Sequence, residues 1–264
     1  MAELFISQLA DGAGAPVVLS HALGLDHSMW AGISETWPGK RPVLVYDHRG
    51  HGRSPVTPGP YTMVDLVDDA VQVIEQWGRG PVVWIGLSMG GMVGQGLAIR
   101  RPDLVRGLVL AHTVAKYPPE GRAVWQQRIA AVSAGGMDAV ADTVLQRYLS
   151  QSFRQEEPRV ASELRGRLLC NDPQGYIACC HAVAGVDWLD ELHRIECPTL
   201  VLAGAHDVGA PPAMARAIHE RIHASRMEVF EHASHLSPVE QPEAFRQSMD
   251  HFIESVDLGP DIRP

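Results

Sequence analysis

Trp84-Ile85-Gly86-Leu87-Ser88-Met89-Gly90-Gly91 decides how the rest of this chain is read. The apolar run Val82-Val83-Trp84-Ile85 leads into it and suits a buried strand. Gly91-Met92-Val93-Gly94-Gln95-Gly96-Leu97-Ala98 leads out of it and reads as a helix packed closely on a neighbour. Between them, Gly86-x-Ser88-x-Gly90 has the spacing of a nucleophile elbow. In such a turn the serine sits in strained backbone, and a side chain at either flanking glycine would collide with neighbouring main chain. The helix N-terminus that follows offers free N–H groups and a positive dipole end to an oxyanion formed at the serine. The five-residue pattern alone is weak, and its place between an apolar strand and a small-residue helix strengthens it.

Working outward, apolar runs at 4–9, 16–20 and 43–46 predict strands before the elbow. A short helix over 28–37 is stopped by Pro38-Gly39. A longer amphipathic helix is expected over 61–77, with Thr62 as its cap and Val64, Leu66, Val67, Val71 and Ile74 on its apolar side. Beyond the elbow comes a strand at 105–111, and then strands cease. Helices are expected over 120–134, 137–148, 157–170 and 173–184. The alternation resumes with strands at 199–203 and 227–230 and helices at 212–222 and 242–256, before a loose tail at 258–264. Strands alternating with helices predict an α/β fold with a mostly parallel central sheet covered on both faces. The all-helical block reads as an inserted cap, residues 114–192, on a core formed by 1–113 and 193–264.

The chain has 264 residues, 45% hydrophobic and 20% charged, which suits an ordinary globular protein. Its net charge of −9 comes without any Lys/Arg-rich run, which argues against nucleic acid or an anionic membrane surface as partner. No apolar stretch is long enough to span a bilayer, and Met1-Ala2-Glu3-Leu4 lacks the basic start of a signal peptide. Cys170, Cys179, Cys180 and Cys197 form no zinc-ligand pattern, so four reduced, largely buried thiols in a cytoplasmic protein are expected.

A serine hydroxyl needs a base to attack at neutral pH, and the base needs an orienting acid. Asp207 follows the 199–203 strand and His235 follows the 227–230 strand, at the sheet edge where catalytic groups gather. His232 is the rival base, and Asp187 and Asp190 are rival acids that fall in the cap. The oxyanion hole needs two N–H donors. Met89 supplies one, and the loop after Ser20 supplies the other, from Leu23 or, alternatively, Ala22. The loop Asp47-His48-Arg49-Gly50-His51-Gly52-Arg53-Ser54 lacks the lysine of a phosphate loop, and an internal Asp47/Arg49 pairing is expected to hold it.

The order Ser88, Asp207, His235 is that of the α/β-hydrolases, which the chain resembles over nearly its whole length. Within that superfamily several stretches are similar to 3-oxoadipate enol-lactonases. Before and at the elbow these are Leu23-Gly24-Leu25-Asp26-x-x-Met29-Trp30, Tyr46-Asp47-x-Arg49-Gly50-His51-Gly52-x-Ser54 and Gly86-Leu87-Ser88-Met89-Gly90-Gly91-Met92-Val93-Gly94-Gln95. After it come Trp125-x-x-Arg128-Ile129, Asp172-Pro173-x-Gly175-Tyr176 and Ala233-x-His235-Leu236-Ser237-x-Val239-Glu240-Gln241-Pro242. The chain departs from that pattern at His21-Ala22, at His112 where an asparagine is expected, and in a short N-terminus with room for one strand rather than a hairpin.

The resemblance implies a serine hydrolase that opens a small carboxylated enol-lactone through an acyl-enzyme on Ser88, with no cofactor and no metal. It implies a cation under the cap for the substrate carboxylate, and Arg128 is the first candidate, with Trp125 as a pocket wall. Trp30 is placed either on the pocket or in the core. Two other readings remain: a carboxylesterase or lactonase for another small ester, and a hydrolase-derived protein that binds a small ligand with little turnover.

Overall fold

A computed structural model describes residues 3–34, 37 and 40–258. Its strands are β1 (Ile6–Ala10), β2 (Val17–Ser20), β3 (Val43–Tyr46), β4 (Val82–Leu87), β5 (Val105–Ala111), β6 (Thr199–Gly204) and β7 (Ser225–Phe230). They form one sheet in the order β1-β3-β2-β4-β5-β6-β7. Every pairing is parallel except β1 with β3. A sheet with helices on both faces buries its inner strands completely, and β2, β3, β4 and β6 are buried at every position. The strand expected near the start of the sequence is β1, antiparallel at one edge of the sheet.

The helices are α1 (Ala31–Ser34), α2 (Met63–Trp77), α3 (Met89–Arg100), α4 (Pro119–Gly135), α5 (Ala141–Tyr148), α6 (Gln151–Glu156), α7 (Pro158–Leu169), α8 (Pro173–Ala184), α9 (Pro212–His219), α10 (Ser237–Glu240) and α11 (Pro242–Leu258). No helix among the described residues is long and apolar enough to cross a membrane. Thr62 caps α2 in a reciprocal box with Asp65. The buried face of α2 is Met63, Leu66, Val67, Ala70, Val73 and Ile74. Val64, expected on that face, is 36% exposed.

Helices α4 to α8 lie between β5 and β6, as the loss of strand signals predicts. Two of their boundaries differ from expectation. The helix expected over 137–148 begins as a 3-10 turn, Met137–Ala139, after Gly136 at φ +66. The short helix α6 was missed; it stops at Glu157, because a residue before proline is pushed out of the helical region. The helix expected over 28–37 is a 3-10 turn, His27–Trp30, followed by α1, and 35, 36, 38 and 39 lie outside the described residues. The tail at 259–264 lies outside them too.

The 47–54 loop is held differently from the expected Asp47/Arg49 pairing. Arg49 instead makes a bidentate pair with Asp69 of α2, at 2.5 and 2.6 Å. Asp47 accepts the backbone N–H groups of His27 and Arg53, both at 2.8 Å. All four cysteines are free, but only Cys179 and Cys180 are buried, and Cys170 is exposed.

Candidate active site

β4 delivers Ser88 to the carboxyl edge of the sheet, and α3 starts immediately after it. Ser88 has φ 55 and ψ −110, backbone that a non-glycine residue adopts only when its surroundings hold it there. Its N–H donates to the Ala111 carbonyl at 2.8 Å, and its carbonyl accepts Thr113 Oγ1 at 2.7 Å and the N–H groups of Gly91 and Met92 at 3.0 Å. The flanking glycines are required by contact. A Cβ on Gly86 would stand 2.2 Å from the Gly90 carbonyl, and one on Gly90 would stand 2.3 Å from that of Ser20. A strained, fully hydrogen-bonded turn leaves the Ser88 hydroxyl facing a cavity.

His235 lines the same cavity, and its Nδ1 donates to Asp207 Oδ2 at 2.6 Å. The other carboxylate oxygen of Asp207 accepts the N–H groups of Gly209 and Ala210 at 2.8 and 2.9 Å. Burial alone would raise this carboxyl, but the charge and hydrogen bond of His235, with the His112 ring close by, hold it well below the usual carboxylate range. Asp207 is therefore an anion able to orient the imidazole and to stabilise its cation. His232 is exposed, and it is His235 that lines the cavity with Ser88. Asp187 pairs instead with Lys116, at 2.9 Å.

His112 belongs to the cluster as well. It follows β5 directly at φ 49, fully buried, with Nε2 2.6 Å from Ser237 Oγ. Its Nδ1 faces Asp207 Oδ2 at 3.5 Å, within ion-pair range but without a well-aligned hydrogen bond. Burial lowers its pKa, so it stands as a neutral ring. His112, Asp207 and His235 place three ligand-type atoms within 4.8 Å, as do Asp26, His27 and Asp47. In the first group the carboxylate oxygens already accept from His235 and two backbone N–H groups.

Of the expected oxyanion donors, Met89 directly follows the serine and Leu23 lines the same cavity. Among the described residues no acceptor takes the N–H of Leu23 or of Met89. Leu23 sits in a turn closed by Leu25 N–H to the Ala22 carbonyl, with Gly24 at φ +74, the conformation required at the third position of a type II turn. The Ala22 carbonyl also accepts His21 Nδ1 at 2.8 Å, which commits the Ala22–Leu23 peptide to this turn.

The cavity holds about 230 Å³, below the 300–1,000 Å³ typical of drug-sized ligands. Trp125 and Arg128 of α4 line it as expected. Trp30 does not. It is fully buried and packs on Phe245 of α11 with ring centroids 6.2 Å apart, so the core reading of Trp30 is the one the packing supports. Among the wall residues that the sequence reading does not single out are Arg147 and Tyr148, at the end of α5. The wall carries no Asp or Glu, and neither guanidinium has an acidic partner among the described residues. Arg128 lies over the Trp125 ring, 4.5 Å from its centroid. Burial first, and then the neighbouring Arg128 charge, lower the Arg147 pKa. These are two cations that feel each other with no anion between them.

Residues 15–242 match the family model described as alpha/beta hydrolase fold. The chain is 36% identical to 3-oxoadipate enol-lactonase 2 of Acinetobacter baylyi over 240 residues, 91% of this chain and 87% of that protein. Among solved structures it is similar to the enol-lactonase from Burkholderia xenovorans LB400, with a TM-score of 0.92, 34% identity and coverage of 96% of this chain and 97% of that one. It is also similar to a thermophilic esterase from Thermogutta terrifontis with malate bound, with a TM-score of 0.90, 33% identity and coverage of 97% and 94%. A strained serine between β4 and α3, an Asp–His pair at the ends of β6 and β7 and a match spanning most of the sequence agree: this chain belongs to the alpha/beta hydrolase fold family.

Proposed function

We propose that the protein is a serine hydrolase that opens a small carboxylated enol-lactone. The observation that carries the substrate class is the acid-free cavity wall with two arginines beside Ser88 and His235. Two half-buried cations with no acidic partner repel one another, and a bound anion would complete the site. Arg128 and Arg147 suit a carboxylate, which a guanidinium binds in a planar fork. The apolar remainder of the wall, with Trp125 and Met214, suits a small hydrocarbon ring. The similarity to two enol-lactonases and to an esterase that holds malate supports the same reading. In it, residues 114–192 act as a cap on a core of 1–113 and 193–264.

In this mechanism Ser88 Oγ attacks the lactone carbonyl while His235 Nε2 takes its proton. Asp207 holds the imidazole by Nδ1 and stabilises the cation that forms. The N–H groups of Leu23 and Met89 receive the oxyanion, each such donor contributing about 10²–10³ in rate. Collapse breaks the ring C–O bond, and the enol oxygen leaves with the proton from His235. The enol becomes a ketone, which draws the reaction forward. Water, deprotonated by His235, then attacks the acyl-enzyme and frees a dicarboxylate and Ser88.

The test is a comparison of kcat/KM for 3-oxoadipate enol-lactone with values for neutral esters and lactones of similar size, in wild type and Ser88→Ala. The expected result is a preference for the carboxylated lactone and loss of all turnover in the variant. A preference for neutral esters would move the function to a general esterase. Turnover retained by Ser88→Ala would remove the nucleophile.

A further inference from the structure

We propose that Tyr148 is a positioning residue of the hydrolytic site, through which the helical insertion braces the oxyanion loop and the base together. The proposal rests on the reading of Ser88 as nucleophile with Leu23 N–H in its oxyanion hole. It does not depend on which ester is cleaved.

Tyr148 is the last residue of α5 and is nearly fully buried. Its hydroxyl donates to the Leu23 carbonyl at 2.5 Å. Its ring stacks on the His235 imidazole, with centroids 5.2 Å apart and planes at 20°. Its own carbonyl accepts the N–H of Leu236, next to His235, at 3.1 Å. One residue of the insertion thus touches the oxyanion loop, the ring of the base and the backbone that carries the base.

The hydroxyl contact falls on the peptide that most needs it. Leu23–Gly24 is the central peptide of the turn, and a central peptide is the one that flips between turn types, because neither of its groups takes part in the closing hydrogen bond. Here both are held. The Leu23 carbonyl is held by Tyr148, and the Gly24 N–H donates to His51 Nε2 at 2.8 Å. The next carbonyl, of Gly24, accepts Asn171 Nδ2 at 2.8 Å. Tyr148 and Asn171 both come from the insertion, while His51 and His21 come from the sheet edge. The loop that aims Leu23 N–H at Ser88 is therefore clamped from two bodies of structure. Burial keeps the Tyr148 phenol protonated, so it remains a donor.

Tyr148→Phe keeps the ring on His235 and removes the bond to Leu23, whereas Tyr148→Leu removes both. The measurements are pre-steady-state acylation by p-nitrophenyl acetate, affinity for phenylboronic acid, whose adduct with a serine carries a tetrahedral anion, and thermal stability. The expected result for Tyr148→Phe is an acylation rate and a boronate affinity reduced by the same factor, on the order of 10-fold to 100-fold. That lies below the roughly 10²–10³-fold loss seen when an oxyanion donor is removed outright. KM for p-nitrophenyl acetate should change less than twofold. Tyr148→Leu should lose further acylation rate while boronate affinity falls little more, because the added defect is in the base. A Tyr148→Phe enzyme that acylates and binds boronate like wild type overturns the proposal. So does one whose losses track a lowered melting temperature with KM and kcat equally affected. Absence of acylation in the wild type would instead sink the serine-hydrolase reading.

Discussion

Replacing Arg128 with glutamine separates a cation that recognises substrate from one that merely fills the cavity wall. Glutamine keeps much of the length and one N–H donor and loses the charge. A hydrogen bond to a charged group is worth about 1.5–3 kcal/mol. At about 1.4 kcal/mol per factor of ten, kcat/KM for a carboxylated lactone should fall roughly 10-fold to 150-fold. A neutral ester makes no such bond, and its kcat/KM should change less than about twofold. Stability sets the opposite expectation from a structural arginine. The variant loses a contact over the Trp125 ring, worth about 0.5–1 kcal/mol at exposed sites and about 2 kcal/mol where desolvated, and gains relief from the Arg147 charge. The two oppose each other, so the melting temperature should change little. The assay follows loss of the enol-lactone absorbance beside p-nitrophenyl acetate turnover, with a thermal melt of each variant. Equal losses on both substrates, or a melting temperature that falls with activity, would show that Arg128 supports the fold and would leave the substrate without its anchor.

Three further outcomes are expected. His235→Ala should abolish acylation by p-nitrophenyl acetate, whereas the exposed His232→Ala should retain it within about twofold of wild type; the reverse order would displace the base. Asp207→Asn keeps an oxygen for Gly209 and Ala210 but favours the wrong imidazole tautomer, so kcat should drop by about 10⁴, read by steady-state kinetics. His51, which accepts Gly24 N–H while burial lowers its pKa from 6.5 to about 3, makes stability pH-dependent. Below 6.5 the unfolded chain binds a proton that the folded ring refuses, so this contribution is complete above pH 6.5 and is lost as pH falls toward 3. Between pH 7 and 5 the wild type should lose about 2 kcal/mol more than His51→Asn in urea titrations, and equal slopes would refute the assignment.

What was legible in the sequence was whatever local backbone encodes. The elbow is legible because Gly86 and Gly90 are demanded by atoms within a few residues or on the adjoining strand, and a short motif records that demand directly. Asp207 and His235 are legible because apolar strands end just before them, and every parallel strand ends at the same edge of the sheet. Thr62 with Asp65 is legible for the same local reason. Convergence between distant elements was not legible. Arg147 and Tyr148 belong to a helix that was expected, yet nothing along the chain says that its last turn meets Leu23, 125 residues away. Trp30 stayed open between pocket and core for the same reason. Its neighbours in sequence lie beside the oxyanion loop, but α11, more than two hundred residues on, packs over it and makes it core. Arg49 followed the same rule, choosing a carboxylate on α2 over the one two residues before it. The loop residues Asp47 and Arg49 carry the right charges for one another, but a fork-shaped guanidinium takes the partner that meets both its arms, and only Asp69 does so. The substrate's identity therefore rests on side chains whose meeting is tertiary, and the chemistry rests on a turn whose geometry is local.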